Sequence, residues 1–322
     1  MKMWLKRTAI GLAALGLGVG TAVAADFPTQ SVRMIVPFAP GGSIDIVARL
    51  IAPGMSELLG QPVVVENRAG ASGYVGAELV AKATPDGHTI IMHGLPLATQ
   101  RHLQKRIPVD PLTAFAPITV VAYQPNVLVV NPQLPVNSVQ ELIDYAKKNP
   151  GKLNYASSGP GATQHLAAEL LSKMTGIDIV HVPYTGGGAS MPDLLAGRVQ
   201  MMIETAPSAM RYVKAGQLRA LGVTSTKPLD ALKDVPTIDK TVRGYELAGW
   251  LLLLAPDKTP ADVVSKLHDV TAKVLKQSAT MERLNELGLQ AGGVSPAETK
   301  DYLKKETDRY GELIRSVGIT PN

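Results

Sequence analysis

Four times along the chain, a short apolar run ends in a turn of glycine and other small residues, and an amphipathic pattern follows. The turns lie at residues 40–43, 70–73, 157–161 and 186–188. A strand, a glycine turn and a helix repeated in this way specify an α/β fold with a mainly parallel sheet. Such sheets hold ligands outside the carboxyl ends of their strands, which is where these turns fall. A glycine turn can also do no more than close a tight strand-to-helix connection. Four of them divided between two halves favour a ligand held in a cleft between domains.

Taken in order, residues 32–36 read as the first strand, followed by a helix with Ile46, Val47, Leu50 and Ile51 on its apolar side. Ser43 is placed to cap that helix, and Asp45 and Arg49 to pair across one turn. Pro53-Gly54 is expected to kink or end it. A second unit comprises a strand at 63–65, a loop at 66–73 and a helix at 74–83, and a third strand covers 88–93. The second half opens with a strand at 127–130 and a helix at 139–148. A strand at 153–156 then leads through the third glycine turn into a helix marked by Leu166, Leu170 and Met174. Further strands read at 179–182, 200–203 and 218–223. After an apolar strand at 250–254 the pattern is nearly all helical, with starts at Thr259-Pro260 and at the capping box Ser295 to Glu298. That tail has too few strands to stand alone and is expected to pack on the first half. The chain would then cross between domains near 122–127 and again near 245–250.

Lys2, Lys6 and Arg7 precede an apolar run and a small-residue ending, the layout of a secretory signal cleaved near Ala24 or Ala25. Its apolar run is shorter than the ~20 residues of a membrane span. Loss of the leader lowers the formal charge from +5 to +2, and no basic cluster remains to suggest nucleic acid. The absence of cysteine excludes disulfides and thiolate metal sites. No metal or cofactor is expected, since no metal-ligand motif appears and His88 and His93 fall on opposite faces of one strand.

The turn Ser157, Ser158, Gly159, Gly161 and Thr163, placed before a helix, outlines an anion pocket that needs no charged side chain. Gly159-Pro160-Gly161 also begins like a dinucleotide fingerprint, with Asp178 downstream, but Gln164 stands where the third glycine belongs. No turn has the lysine of a nucleotide P-loop. His165 is positioned either as a base beside Ser157 or Ser158, or as a neutral, hydrogen-bonded residue at the helix start. Glu204 either caps a following helix or meets a ligand amine or hydroxyl, and Tyr184 has packing and ligand contact equally open. Three function classes therefore remain: a carboxylate receptor, a secreted enzyme acting on a small acid, and a dinucleotide-binding oxidoreductase.

The segments 36–49, 63–73, 155–166, 182–188 and 215–221 resemble the Bug proteins, periplasmic solute receptors of the tripartite tricarboxylate transporter type. The likeness covers essentially the whole chain after the leader. It implies a type II periplasmic-binding-protein fold, two α/β domains joined by two crossing hinge strands and closing on ligand. Residues 26–125 plus 248–322 would form domain 1, and 126–247 domain 2. It implies a non-enzymatic, monomeric receptor for a small carboxylate, such as a dicarboxylate, tricarboxylate or aromatic acid, serving a membrane permease or sensor. By this resemblance Phe38, Gly41, Gly42 and Ser43, with Ala71, Ser72 and Gly73, grip one carboxylate. Ser157, Ser158, Gly159, Thr163 and His165 hold the rest, with Tyr184 and Glu204 as further candidates whose contact with the ligand stays open. Two positions depart from the family pattern: Thr185 replaces a basic or other polar residue, and Glu204 stands where aspartate is frequent.

Overall fold

The computed structural model describes residues 27–319, so the expected leader lies outside the described residues. The first half contains β1 (Val32–Val36), α1 (Ser43–Leu59), β2 (Val63–Asn67), α2 (Tyr74–Ala81), β3 (Thr89–Gly94) and α3 (Pro96–Leu103). β4 (Phe115–Val130), α4 (Val139–Lys148), β5 (Leu153–Ser157), α5 (Thr163–Thr175) and β6 (Ile179–Pro183) follow. Next come α6 (Gly187–Leu195), β7 (Met201–Thr205), α7 (Ala206–Lys214) and β8 (Arg219–Val223). The chain closes with β9 (Ala248–Pro256), α8 (Ala261–Leu275), α9 (Ser278–Glu286), β10 (Gln290–Ala291) and α10 (Pro296–Ser316).

The strands follow the order β2-β1-β3-β9-β4-β7-β5-β6, with β10 and β8 also on β4. β1 pairs parallel with β2 and β3, and β5 parallel with β6 and β7, which gives each lobe its strand–helix repeat. β4 is shared. Up to Pro125 it pairs antiparallel with β9 in the first lobe, and from Asn126 it pairs with β7 and β8 in the second. β9 begins at the same level, Ala248 standing opposite Pro125. Two strands therefore cross between the lobes, at the places the sequence pointed to.

The sequence reading starts a separate strand at 127, whereas the structure has one strand of 16 residues from Phe115. Pro117 and Pro125 hide it, because proline cannot donate to a ladder and argues against a central strand. β4 accommodates Pro117 beside a register shift between Pro117 and Thr119. Pro53 does not end α1, which continues to Leu59. Ile51, Ala52 and Met55 are buried in the core that α8 shares, and that burial outweighs the one backbone bond proline removes. The expected Ser43 cap is also absent, and α8 starts without a Thr259 cap. Gly42 is the N-cap of α1 and Ser43 bonds elsewhere, while Thr259 donates to the Pro256 carbonyl and Pro260 occupies the N-cap of α8. The Ser295–Glu298 capping box is present at the start of α10.

α10 returns to the first lobe against α3 and β4, as expected of the helical tail. It carries Glu306 to the one tryptophan among the described residues. Trp250 Nε1–H donates to Glu306 Oε2 at 3.1 Å, and Arg309 bonds both carboxylate oxygens at 2.9 Å. Glu306→Ala leaves the buried indole N–H without an acceptor and is expected to cost about 2 kcal/mol, read as a lower urea midpoint at unchanged slope.

Candidate functional site

Between the lobes lies a cavity lined from both sides. The first lobe supplies Phe38, Gly42, Ser43, Ile44, Asp45, Gly94, Leu95, Pro96, Gln124, Trp250 and Leu251. The second supplies Ser158, Thr163, Gln164, Gly187, Glu204, Thr205 and Ser208. The cavity volume is about 50 Å³. No lysine, arginine or histidine is among these residues.

The strand–turn–helix repeat aims helix starts at this space. α1 contributes residues 42–45, α3 contributes Leu95 and Pro96, and α5 contributes Thr163 and Gln164. α6 contributes Gly187, and α7 contributes Thr205 and Ser208. The first bond of the α1 ladder runs from Ile46 N–H to Gly42 O, which leaves the N–H groups of Ser43, Ile44 and Asp45 outside it. In α5 the corresponding bond joins Leu166 to Ala162, leaving those of Thr163, Gln164 and His165. Five helix N-termini facing one small space offer an anion backbone N–H groups and positive dipole ends without a cationic side chain.

Two carboxylates border the cavity, and their surroundings differ. Burial raises the Asp45 carboxyl, but the Gly41 N–H, Arg49 and Asn67 outweigh it and hold the pKa below its ordinary value. Asp45 is thus an internal brace, pinning the loop before α1 onto the end of β2. Glu204 is fully buried at the end of β7. Its Oε1 accepts from Thr205 N–H (2.6 Å), Thr205 Oγ1 (2.7 Å) and Gln164 Nε2 (3.0 Å). Its Oε2 is buried without a hydrogen-bond partner. Burial pushes the carboxyl up, more than the donors on Oε1 lower it.

The lobes touch around the cavity. Thr99 Oγ1 donates to the Gly161 carbonyl at 2.7 Å, and Gln100 Nε2 to the Pro160 carbonyl at 2.9 Å. Gly188 lies so near Pro40 that a Cβ on it would stand 2.7 Å from the Pro40 oxygen. Deeper, Ser43 Oγ donates to Gln124 Oε1 at 2.8 Å, tying the start of α1 to the crossing strand β4.

Of the residues expected in the site, Phe38, Gly42, Ser43, Ser158, Thr163 and Glu204 line the cavity. Gly41, Ala71, Ser72, Gly73, Ser157, Gly159, His165 and Tyr184 do not. Gly41 gives its N–H to Asp45. Ala71, Ser72 and Gly73 form a left-handed turn ahead of α2, with Ser72 close to Gly159 of the other lobe. Ser157 is buried and bonded to His181 Nε2 at 2.6 Å, and Gly159 gives its N–H to the Ser157 hydroxyl. Tyr184 donates to Asp193 Oδ2 at 2.6 Å within its own lobe. His165 accepts from the Gly161 N–H through Nδ1 at 3.1 Å, and its ring stacks on His181 at 4.1 Å. Ser158 donates to Gln164 Oε1. Neither serine is bonded to His165, so the Ser–His pairing that the enzyme reading requires is absent from this conformation.

The sequence reading missed Gln124, Gln164, Gly187, Thr205, Ser208 and Trp250, all on the cavity wall. Gln164 and Ser208 stand in the first turns of α5 and α7, Ser208 directly after Pro207, and that position carries a usable signal. Gln124 and Trp250 lie on the crossing strands, where only the topology brings them to the cleft.

A family model described as the tripartite tricarboxylate transporter family receptor matches residues 47–319. The Bordetella pertussis protein BugT is 34% identical over 324 residues, covering 99% of this chain and 99% of that one. The solved structure of Rpa4515 from R. palustris with adipate is 39% identical with a TM-score of 0.90, covering 92% of this chain and 100% of the other. MatC from Rhodopseudomonas palustris, solved with bound malate, is 31% identical with a TM-score of 0.85, covering 89% and 100%. Likeness at this level, over two lobes with a shared crossing strand, gives the fold as the type II periplasmic-binding-protein architecture.

Proposed function

This chain belongs to the tripartite tricarboxylate transporter receptor family, and from that premise we propose that it captures a small carboxylate in the periplasm and hands it to a membrane permease or sensor. The observation that carries the reading is the convergence of five helix N-termini on a cavity with no cationic side chain. Backbone N–H groups at those ends match a carboxylate, while Phe38, Leu95 and Trp250 match a short hydrocarbon body. The relatives solved with adipate and with malate support the ligand class.

The lobes, residues 26–125 with 248–322 and residues 126–247, close as units about the crossing of β4 and β9. Closing an empty cleft strips water from the facing N–H groups without replacing it, so the closed form is favoured by ligand. The leader is removed after Ala24 or Ala25, and the receptor works as a monomer without catalysis. Incubation with a bound acid, followed by NMR of the recovered small molecule, is expected to return it unchanged. Steady loss of the acid, abolished by His165→Ala, would instead establish the enzyme reading.

A further inference from the structure

Among the side chains on the cavity wall, Glu204 carries a buried polar atom without a hydrogen-bond partner. Three donors converge on Oε1, and Oε2, equally buried, has none. The neighbouring main chain leaves space for that oxygen: a Cβ at Gly187 would stand 2.6 Å from it, and Gly187 also lines the cavity. A buried polar atom without a partner costs free energy unless something bonds it. With Oε1 occupied by three donors, Oε2 is the oxygen left open to a further bond, beside Gly187 on the cavity wall.

We infer that Glu204 sets the ligand class: the acid held in this cleft carries a hydrogen-bond donor, a hydroxyl or an ammonium, that reaches Glu204 Oε2. The inference rests on the carboxylate-receptor reading and narrows it. One end of the ligand is an anion, served by helix N-termini. Another part is a donor, served by a fixed acceptor. A second carboxylate at that point offers Oε2 no donor and is disfavoured.

The test is a calorimetric titration of short straight-chain acids of matched length. Each length is presented with a methyl terminus, a second carboxylate, or a hydroxyl or ammonium at each carbon in turn. The wild-type chain is expected to bind one donor-bearing acid at least ~10-fold more tightly than its methyl counterpart, and the hydroxyl and ammonium arms show which donor is used. Glu204→Gln keeps an oxygen for the three internal donors and places an amide N–H₂ where Oε2 stood. It is expected to weaken the donor-bearing acid about 10-fold and to strengthen the dicarboxylate of the same length.

The wild-type comparison needs no variant, so it decides the matter even if Glu204→Gln fails to fold. A wild-type chain that binds methyl-terminated acids or dicarboxylates as tightly as any donor-bearing acid would overturn this inference and leave the receptor reading standing. An unchanged preference in Glu204→Gln would overturn it as well. A wild-type chain that binds no acid in the series would overturn both.

Discussion

Gly188→Ala is expected to weaken ligand binding about 30-fold while leaving the stability of the unliganded protein nearly unchanged. Gly188 sits in the first turn of α6 with ordinary helical backbone, and alanine suits a helix better than glycine by up to ~1 kcal/mol, so the second lobe itself is not strained. The obstruction lies in the other lobe. The new methyl would stand 2.7 Å from the Pro40 carbonyl oxygen, and a backbone oxygen has no side-chain rotamer through which to retreat. The lobes must part by a fraction of an ångström or more. That lengthens the Thr99–Gly161 and Gln100–Pro160 bonds, each worth about 1 kcal/mol net, and together they account for roughly the stated loss. Calorimetry on the variant measures the affinity, and small-angle scattering with and without ligand measures closure. Wild-type affinity in the variant would show that the ligand does not depend on this closed contact.

The second large effect concerns acid. His93, His165 and His181 are held neutral by burial, at pKa values of about 4, 3 and 4, and for His165 the adjacent His181 adds to the shift. A histidine with a depressed folded pKa takes up protons in the unfolded chain before it does so in the folded one. Stability is therefore complete above the ordinary value near 6.5 and falls as pH drops towards 4. His93 alone accounts for about 2 kcal/mol between pH 7 and pH 5. The stacked pair acts in the same direction, because charging both rings at 4.1 Å sets two cations face to face. The urea midpoint is expected to drop clearly from pH 7 to pH 5. His165→Asn, which retains an acceptor for the Gly161 N–H, is expected to flatten that dependence. Equal stability at both pH values would contradict neutral burial of these rings.

What the sequence made legible was the repeat and its consequences. Strand β1 and helix α4 read at their observed bounds because their apolar spacing is unambiguous, and the third glycine turn led correctly into α5. Local pattern failed where long-range structure decides. β4 carries two prolines that disqualify a central strand by local rules, yet it is the strand both lobes share. α6 begins Gly187-Gly188 and contains Pro192, so it reads as a loop, although it supplies the close approach to the opposite lobe.

The site divided along the same line. Ser43, Thr163 and Glu204 follow from their places at strand ends and helix starts. His165 and Ser157 share those places, but their side chains turn inward to brace the loop. No spacing rule distinguishes a hydroxyl that faces the cleft from one that bonds His181. Gln164 was read only as the residue that spoils a dinucleotide fingerprint. In the structure it donates to Glu204 and lines the cavity.

The central claim is that a carboxylate binds between the five helix N-termini, and Trp250 provides a built-in reporter of it. The sequence has two tryptophans, and the other, Trp4, falls in the expected leader. A chain lacking the leader therefore emits from Trp250 alone, a residue on the cavity wall. Its fluorescence should be titrated with small carboxylates and with the corresponding neutral amides. A saturable change with carboxylates, absent with the amides, is the predicted result. Emission that responds to no carboxylate, or to acid and amide alike, would contradict the account.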